Sequence, residues 1–169
     1  MSKHMTGSII VVGNNIDTDQ IYPGRFLAIT NPEEIGSHCL CGVSEDIAAS
    51  FPNGGFVVAG SNFGCGSSRE HTPISLIHMG AAAVIADSFA RIFFRNSVNL
   101  GLLPITCKGL GSAVKSGQTL TIDLERNTIV CLETGMSYPC ELPGGPAARI
   151  LEAGGIKPLM KARFEESHT

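Results

Sequence analysis

Apolar and polar residues follow two alternating patterns along this chain. Four continuous apolar runs predict buried β-strands, at residues 8–12, 55–59, 81–86 and 102–105. Between the later runs, apolar residues at helical spacing predict two helices, one ending at Gly80 and the other running from an N-cap at Ser88 to Gly101. Strands that alternate with helices indicate an α/β fold with its elements packed in layers.

The C-terminal part of the chain has a different pattern. Residues 119–124 and 128–132 alternate apolar and polar side chains around a short polar turn, which predicts a β-hairpin. Residues 146–153 predict a last helix, and Gly154 is expected to end it. No repeat and no low-complexity linker interrupts these elements.

We expect one folded domain over residues 8–160. Residues 1–7 are interpreted as a leader or a vector scar, and the polar residues 161–169 as a tail that frays. No apolar run approaches the roughly 20 residues of a membrane-spanning helix, and the N-terminus does not resemble a signal peptide. A cytoplasmic protein is therefore expected.

The amino-acid composition argues against several classes of protein. With 43% hydrophobic and 16% charged residues among 169, the chain is predicted to fold rather than to be disordered. Its net charge of −3 gives no electrostatic reason for binding nucleic acid or an anionic membrane. The six cysteines lack the spacing of metal-binding motifs, so we expect free thiols and no metal on this chain.

A glycine-rich loop at residues 60–71 is the strongest chemical signal. It reads Gly-Ser-Asn-Phe-Gly-Cys-Gly-Ser-Ser-Arg-Glu-His and precedes an apolar segment. Gly60, Gly64 and Gly66 allow the backbone to approach a ligand closely or to adopt a positive φ. The helix expected next would direct free N–H groups and its positive end at an anion. The loop therefore predicts an anion-binding site.

Helix capping is a competing explanation for the same loop. Ser67 and Glu70 have the spacing of a capping box, and Thr72 followed by Pro73 offers another helix start. Neither explanation requires Arg69 or all of the glycines. Helix capping and ligand binding therefore both remain explanations of this loop.

Other loop chemistries have less support. The sequence has none of the glycine signatures of nucleotide-binding loops or of α/β-hydrolases. Cys65 and His71 could form a thiolate nucleophile and its base. A thiol beside glycine is more often a packing residue, so this hypothesis ranks low.

A second polar cluster follows the first strand, at residues 13–27. It contains Asp17 and Asp19, which we expect to lie near Arg25. A polar turn is the competing explanation, because aspartate and asparagine close Asx turns and a Pro-Gly pair is itself a turn signal.

Arginine and lysine are unevenly distributed along the chain. Over residues 5–106 every Lys or Arg position is an arginine, namely Arg25, Arg69, Arg91 and Arg95. Arginine binds carboxylates through two parallel hydrogen bonds, so the presence of arginine rather than lysine favours a carboxylate ligand. For Arg91 and Arg95, on the second predicted helix, we expect structural salt bridges.

Three segments together resemble one protein family. They are residues 17–23 (Asp-Thr-Asp-Gln-Ile-Tyr-Pro), 62–71 (Asn-Phe-Gly-Cys-Gly-Ser-Ser-Arg-Glu-His) and 88–96 (Ser-Phe-Ala-Arg-Ile-Phe-Phe-Arg-Asn). In order and spacing they resemble the small subunit of 3-isopropylmalate dehydratase, and more broadly the swivelling C-terminal domain of the aconitase superfamily. The resemblance implies a single layered β/β/α domain of that type.

The resemblance also implies a hydro-lyase that is active only with a large subunit. In this family a [4Fe-4S] cluster on the large subunit binds the substrate hydroxyl and a carboxylate as a Lewis acid, and the small subunit supplies a proton-transfer serine. By motif position that serine is Ser67, while Ser68 and Arg69 bind a substrate carboxylate or its developing charge. Asp19 supports the catalytic groups, and Arg25 is placed among the substrate-binding residues.

The chemistry of the loop is compatible with this role. A serine hydroxyl is a poor base at its free pKa, so it needs surroundings that favour the alkoxide. Amides at a helix start and a neighbouring guanidinium provide such surroundings. Ser67 could therefore cap a helix and also act as a base.

The chain departs from the family in its substrate-selecting segment. Archaeal-type relatives often have Tyr-Leu-Arg-Thr or Tyr-Leu-Val-Tyr there, whereas this chain has Phe26, Leu27, Ala28 and Ile29. Such an apolar surface suits an isopropyl group, so the resemblance implies isomerisation of 2-isopropylmalate and 3-isopropylmalate in leucine biosynthesis. Homoaconitate, citramalate or 2,3-dimethylmalate are alternative substrates, and a non-enzymatic anion-binding module is a third interpretation.

Overall fold

The computed structural model describes residues 3–168. The strands in this range are β1 (His4–Val11), β2 (Phe56–Val58), β3 (Ala83–Ala86), β4 (Leu103–Thr106), β5 (Thr119–Asp123), β6 (Thr128–Cys131) and β7 (Ser137–Pro139). The helices are α1 (Thr18–Ile21), α2 (Pro32–Ser37), α3 (Ile47–Ser50), α4 (His71–Met79), α5 (Arg91–Asn99), α6 (Leu110–Ala113), α7 (Pro146–Ala153) and α8 (Ile156–Ser167), with a 3-10 turn at Gly24–Phe26.

All of these strands join one sheet, in the order β4-β3-β2-β1-β5-β6-β7. Strands β1 to β4 pair in parallel and form the parallel half, whereas β5 to β7 extend the sheet from β1 as the antiparallel half. Parallel neighbours need crossover connections, which contain α4 between β2 and β3 and α5 between β3 and β4. The predicted α/β fold class is confirmed.

Side chains alternate across the sheet between two hydrophobic clusters. In β2, Phe56 and Val58 join one cluster and Val57 joins the other, because successive side chains of a strand point to opposite faces. The first cluster includes Leu151 of α7, and the second includes Leu76 of α4. Helices therefore pack on both faces of the sheet.

Most of the predicted elements are present with shifted ends. The four apolar runs correspond to β1 to β4, the hairpin to β5 and β6, and the last helix to α7. Gly80 and Gly154 end α4 and α7 in the left-handed conformation, with φ of 108° and 90°, as their positions predict.

Two predicted boundaries differ from the structure. Residues 4–7, interpreted as part of a leader, belong to β1 and pair with β5; His4 and Thr6 are polar, so the apolar run began later. The tail predicted to fray at residues 161–169 continues α8 as far as Ser167. That helix has apolar residues at helical spacing, Ile156, Leu159, Met160 and Phe164, but none of its side chains is fully buried. None of the helices in residues 3–168 has the length and apolarity needed to cross a membrane.

Candidate active site

The three segments that carry the family resemblance lie side by side in the fold. Asp17 pairs with Cys65 in an isolated parallel bridge, and Phe63 pairs in the same way with Phe89. The Thr18 amide also donates to the Cys65 carbonyl at 2.8 Å. The glycine-rich loop is therefore held between the segment that begins α1 and the segment that precedes α5.

Two glycines of the loop are required by its backbone. Gly64 has a φ of +85° and Gly66 a φ of +100°, in a region that other residues rarely adopt. A Cβ on Gly64 would overlap the Phe93 side chain, and a Cβ on Gly66 would lie 3.2 Å from Thr18 Oγ1. The predicted positive φ is confirmed for Gly64 and Gly66 but not for Gly60. The close approach seen here is to α1 and α5, and an approach to a ligand stays a prediction.

Both predicted caps for the helix after the loop are wrong. Helix α4 begins at His71, its N-cap is Glu70, and no side chain caps it. Ser67 lies too far before the helix to cap it, and Thr72 already lies inside the first turn. The start of α4 therefore keeps amides without an intrahelical acceptor.

The caps that do form use other residues. Asp17 and Gln20 make a capping box on α1, in which the Gln20 amide donates to Asp17 Oδ1 at 2.8 Å and the Asp17 amide donates to Gln20 Oε1 at 3.0 Å. Ser88 was expected to cap the next helix, but α5 begins at Arg91. The Ser88 hydroxyl instead accepts from the Asn62 amide at 2.8 Å, so it supports the glycine-rich loop.

A cavity of about 180 Å³ opens beside this loop. Ser67, Ser68 and Arg69 line it together, and both serines are exposed. The first turn of α5, from Ala90 to Phe93, forms another part of its wall. The cavity is smaller than the roughly 300–1,000 Å³ of typical drug-sized ligand sites, which suits a small acid.

The Arg69 guanidinium is anchored by the second polar cluster. Its Nη1 donates to Asp19 Oδ1 and to the Tyr22 carbonyl, each at 3.2 Å. The same aspartate oxygen accepts from the Gly24 amide at 3.0 Å. The Gly24 amide first, and Arg69 second, hold the pKa of Asp19 below its usual value. Nε and Nη2 of Arg69 have no hydrogen-bond partner in the described chain, so they are available to an anion.

Arg25 is less closely tied to the aspartates than the sequence suggests. It makes no ion pair with Asp19 within residues 3–168, although its charge adds a smaller lowering of the pKa of that carboxyl. Its guanidinium carbon lies 4.5 Å from the centroid of the Phe26 ring, a cation–π contact. Phe26 also stacks on His38 with ring centroids 3.9 Å apart, and its carbonyl accepts from Tyr22 Oη at 2.8 Å.

The rest of the substrate-selecting segment forms an apolar surface on the adjoining turn. Leu27 and Ala28 are exposed, and Ile29 is half-buried. Among the described residues, neither this segment nor Asp19 or Arg25 lines the cavity beside Ser67. Its role in substrate selection therefore stays a prediction.

Cys65 and His71 do not form a nucleophile and base pair. The His71 ring stacks on Tyr22, with centroids 5.9 Å apart and an interplanar angle of 8°, and within the described chain no hydrogen bond joins it to the Cys65 thiol. All six cysteines are free, and burial raises the pKa of Cys39 to about 12. No group of three or more His, Cys, Asp or Glu in residues 3–168 could hold a metal ion.

Arg91 and Thr72 are among the cavity residues that the sequence did not assign to the site. Arg91 and Arg95 were expected in salt bridges, but neither makes one within residues 3–168; Arg91 lines the cavity instead. Thr72 also lines it, and its Oγ1 is buried without a hydrogen-bond partner in the same range. The signal for Arg91 was its place in the third family segment, whereas Thr72 carried no signal except its place next to the loop.

The family model for the Aconitase C-terminal domain matches residues 52–110. Over 99% of both chains, this protein is 42% identical to the isopropylmalate/citramalate isomerase small subunit of Methanocaldococcus jannaschii. It is 44% identical to the methanogen homoaconitase small subunit of the same organism, over 89% of this chain and 88% of that one. It is also 44% identical to 3-isopropylmalate dehydratase small subunit 1 of Methanopyrus kandleri, over 95% of each chain.

A solved structure gives the same result for the fold. The crystal structure of 3-isopropylmalate dehydratase from Methanocaldococcus jannaschii aligns with a TM-score of 0.92 and 41% identity, over 98% of each chain. Sequence and structure therefore agree over almost the whole chain. This protein belongs to the family of 3-isopropylmalate dehydratase small subunits, within the aconitase superfamily.

Proposed function

We propose that this chain is the small subunit of a hydro-lyase that interconverts 2-isopropylmalate and 3-isopropylmalate by dehydration and rehydration, in leucine biosynthesis. The observation that carries the proposal is the cavity that Ser67, Ser68 and Arg69 line together, where the three family segments meet. An exposed hydroxyl beside an anchored guanidinium suits removal of a proton from a carbon next to a carboxylate. Relatives at 44% and 41% identity are named for the dehydratase small subunit.

Ser67 is the base in this proposal. Its hydroxyl is exposed on the cavity and makes no hydrogen bond to the rest of the described chain, so it is free to take a proton from the substrate and to return it in the rehydration step. The alkoxide form needs stabilisation. Arg69 and the uncapped start of α4 are positive groups beside Ser67 that provide it.

Arg69 and Ser68 bind the substrate carboxylate next to the carbon that loses its proton, where negative charge develops. Asp19 accepts one hydrogen bond from the Arg69 guanidinium, so it keeps the other N–H donors of that guanidinium in place. Arg25 adds positive charge near the ion pair of Asp19 with Arg69. Both Asp19 and Arg25 are assigned to the substrate-binding set. Asp19 acts chiefly through Arg69, because its carboxylate accepts from the guanidinium at 3.2 Å and does not itself line the cavity among the described residues.

A partner supplies the metal chemistry in this proposal. Residues 3–168 hold no group of side chains suited to a metal ion, and the relatives are named as small subunits. We assign a [4Fe-4S] cluster to the large subunit, where it would act as a Lewis acid toward the substrate hydroxyl. The free thiols of this chain suit a reducing compartment, so we expect the complex in the cytoplasm.

Substrate choice is assigned to Phe26, Leu27, Ala28 and Ile29. Their apolar surface favours an isopropyl group over a carboxyalkyl chain. Relatives named for citramalate isomerisation and for homoaconitase support homoaconitate, citramalate or 2,3-dimethylmalate as alternative substrates. A non-enzymatic anion-binding module would keep the cavity but lack turnover with any large subunit.

The test is reconstitution with the large subunit under anaerobic conditions. Ser67→Ala is expected to lower kcat by roughly 10²–10⁴-fold without changing the thermal unfolding midpoint, because the side chain is exposed. Ser112→Ala, at another exposed serine, is the matched control and should keep full activity. Full turnover by Ser67→Ala would rule out this serine as the base.

A panel of di- and tricarboxylic acids separates the candidate substrates. We expect the reconstituted pair to have its highest kcat/KM with isopropylmalates among alkyl malates, citramalate, 2,3-dimethylmalate and homoaconitate. A maximum at another of these acids would replace isopropylmalate by that alternative. Binding of the acids without turnover would favour the anion-binding module.

A further inference from the structure

The start of α5 is a part of the cavity wall where the amides of residues 91–93 have no hydrogen-bond partner within residues 3–168. Its N-cap is Ala90, no side chain caps it, and its first turn contains no acidic residue. The amides of that turn therefore have no intrahelical acceptor. Because residues 90–93 line the cavity beside Ser67, the positive end of the helix dipole lies at the site.

Arg91 adds a full positive charge at this position. It is the first residue of α5, it is exposed, and it lines the cavity. Within residues 3–168 no carboxylate lies at salt-bridge distance from it. A cation at the N-terminus of a helix opposes the helix dipole. The arrangement is unfavourable in this chain by itself, and a bound anion would reverse that.

Thr72 is an independent sign that a ligand group is missing. It belongs to α4, on another element of the same cavity, and it is completely buried. Its Oγ1 has no hydrogen-bond partner in the described chain. A buried hydroxyl without a partner destabilises a fold. A carboxylate oxygen in the cavity would accept a hydrogen bond from it.

We propose that the start of α5 is a carboxylate-binding subsite, where the free amides, the Arg91 guanidinium and the Thr72 hydroxyl bind one carboxylate of the substrate. The proposal rests on the proposed function, because a diacid brings a carboxylate to Ser67. Arg69 is a separate anion-binding group, since Asp19 and the Tyr22 carbonyl hold its Nη1 on the other polar segment. Two anion-binding groups in one cavity favour diacids over monoacids.

The start of α8 shows what distinguishes this subsite from an ordinary helix end. Helix α8 also lacks a side-chain cap, and Lys157 lies in its first turn. The cavity at its start is lined by Glu70, whose carboxylate opposes an anion. Neither of the two buried unpartnered hydroxyls, Thr72 and Ser97, lines that cavity among the described residues.

Steady-state kinetics of the reconstituted pair test the subsite. Arg91→Met is expected to raise KM for the diacid about tenfold or more, with a smaller change in kcat, and Arg91→Lys to restore part of the loss. Arg95→Met, on the same helix but outside this cavity, is the matched control and should keep KM within about twofold. Unchanged KM in Arg91→Met would overturn the proposal, as would weaker binding of the large subunit in place of a KM effect.

Thr72→Val separates a ligand contact from a structural role. Because the hydroxyl has no protein partner, the variant should keep or raise the unfolding midpoint while KM rises roughly three- to tenfold. A lower midpoint with unchanged KM would show a structural hydroxyl and overturn its place in the subsite. The two proposals fail differently: turnover in Ser67→Ala removes the proposed function, whereas an inactive Ser67→Ala with normal KM in Arg91→Met and Thr72→Val removes only the subsite.

Discussion

Asp123, in the antiparallel half of the sheet, and Asp19, in α1 beside the parallel half, are similar carboxylates with different contacts. In the antiparallel half, Asp123 accepts from the amides of Glu125 and Arg126, each at 3.0 Å, so it closes a local turn. Beside the parallel half, Asp19 reaches Arg69 across fifty positions of sequence. Both carboxyls have a lowered pKa. A lowered pKa is therefore not by itself a mark of a functional site, and neither is a distant partner, since His4 Nε2 lies 3.4 Å from Asp123 Oδ2. Asp19 is distinguished by its partner Arg69, which lines the cavity beside Ser67.

The largest expected contrast between the two regions is in backbone strain. Gly64→Ala should lower the free energy of unfolding by about 3 kcal/mol or more, because a positive φ costs about 1–3 kcal/mol and the new Cβ overlaps Phe93. Gly117, just before the antiparallel half, has a φ of +94° but open space around it, so Gly117→Ala should cost about 1–2 kcal/mol. Urea unfolding measures both, and equal losses would contradict the close packing of the loop on α5.

A smaller contrast is expected in activity when each carboxylate is neutralised. Asp19→Asn should lower kcat/KM of the reconstituted pair roughly tenfold, because Arg69 loses its charged anchor. Asp123→Asn should leave kcat/KM within about twofold, since its partners are local amides and surface cations. At the exposed Asp19 the change should alter the free energy of unfolding by no more than about 0.5 kcal/mol, whereas at the half-buried Asp123, which accepts from two backbone amides, it should lower it by about 1 kcal/mol. A similar loss of kcat/KM in Asp19→Asn and Asp123→Asn would contradict the difference in function between the two carboxylates.

The smallest expected effect is on the titration of Asp19. Its folded pKa is lowered, so its ionised form stabilises the fold above the usual value of 3.8, and that contribution is lost as the pH falls through the folded pKa. Arg69→Met should raise the pKa of Asp19 yet leave it below 3.8, because the hydrogen bond from the Gly24 amide, the largest single cause of the lowering, remains. Carboxyl NMR titration measures the change, with Asp123 as internal control. A complete return to 3.8 would mean that Arg69, not the amide, is the main cause.

The errors of the sequence analysis have a common physical origin. Ser67, Thr72 and Ser88 all have side chains that can cap a helix, and none of them does so. The Ser88 hydroxyl accepts from the Asn62 amide of the distant loop, and such competition between backbone partners cannot be read from local spacing. The capping box that forms, at Asp17 and Gln20, lay in a cluster whose spacing also suited simple turns.

Arg91 shows the same limit for charges. Its helical position suggested a salt bridge, but whether a carboxylate lies within reach depends on which elements pack beside α5. The fold places α5 against the glycine-rich loop, through the bridge of Phe63 with Phe89. The side chain therefore faces a cavity that contains no acidic residue among the described lining.

Local sequence was sufficient for the elements whose signals are short in range. The hairpin of β5 and β6, the helix α7 and the glycines that end α4 and α7 depend on neighbouring residues, and ordered motifs were sufficient for the family. The cavity and the environments of Arg69, Thr72 and Arg91 depend on contacts between segments far apart in the chain. Parallel pairing of β1 to β4 brings those segments together, and hydrophobic periodicity carries no information about which polar groups then meet.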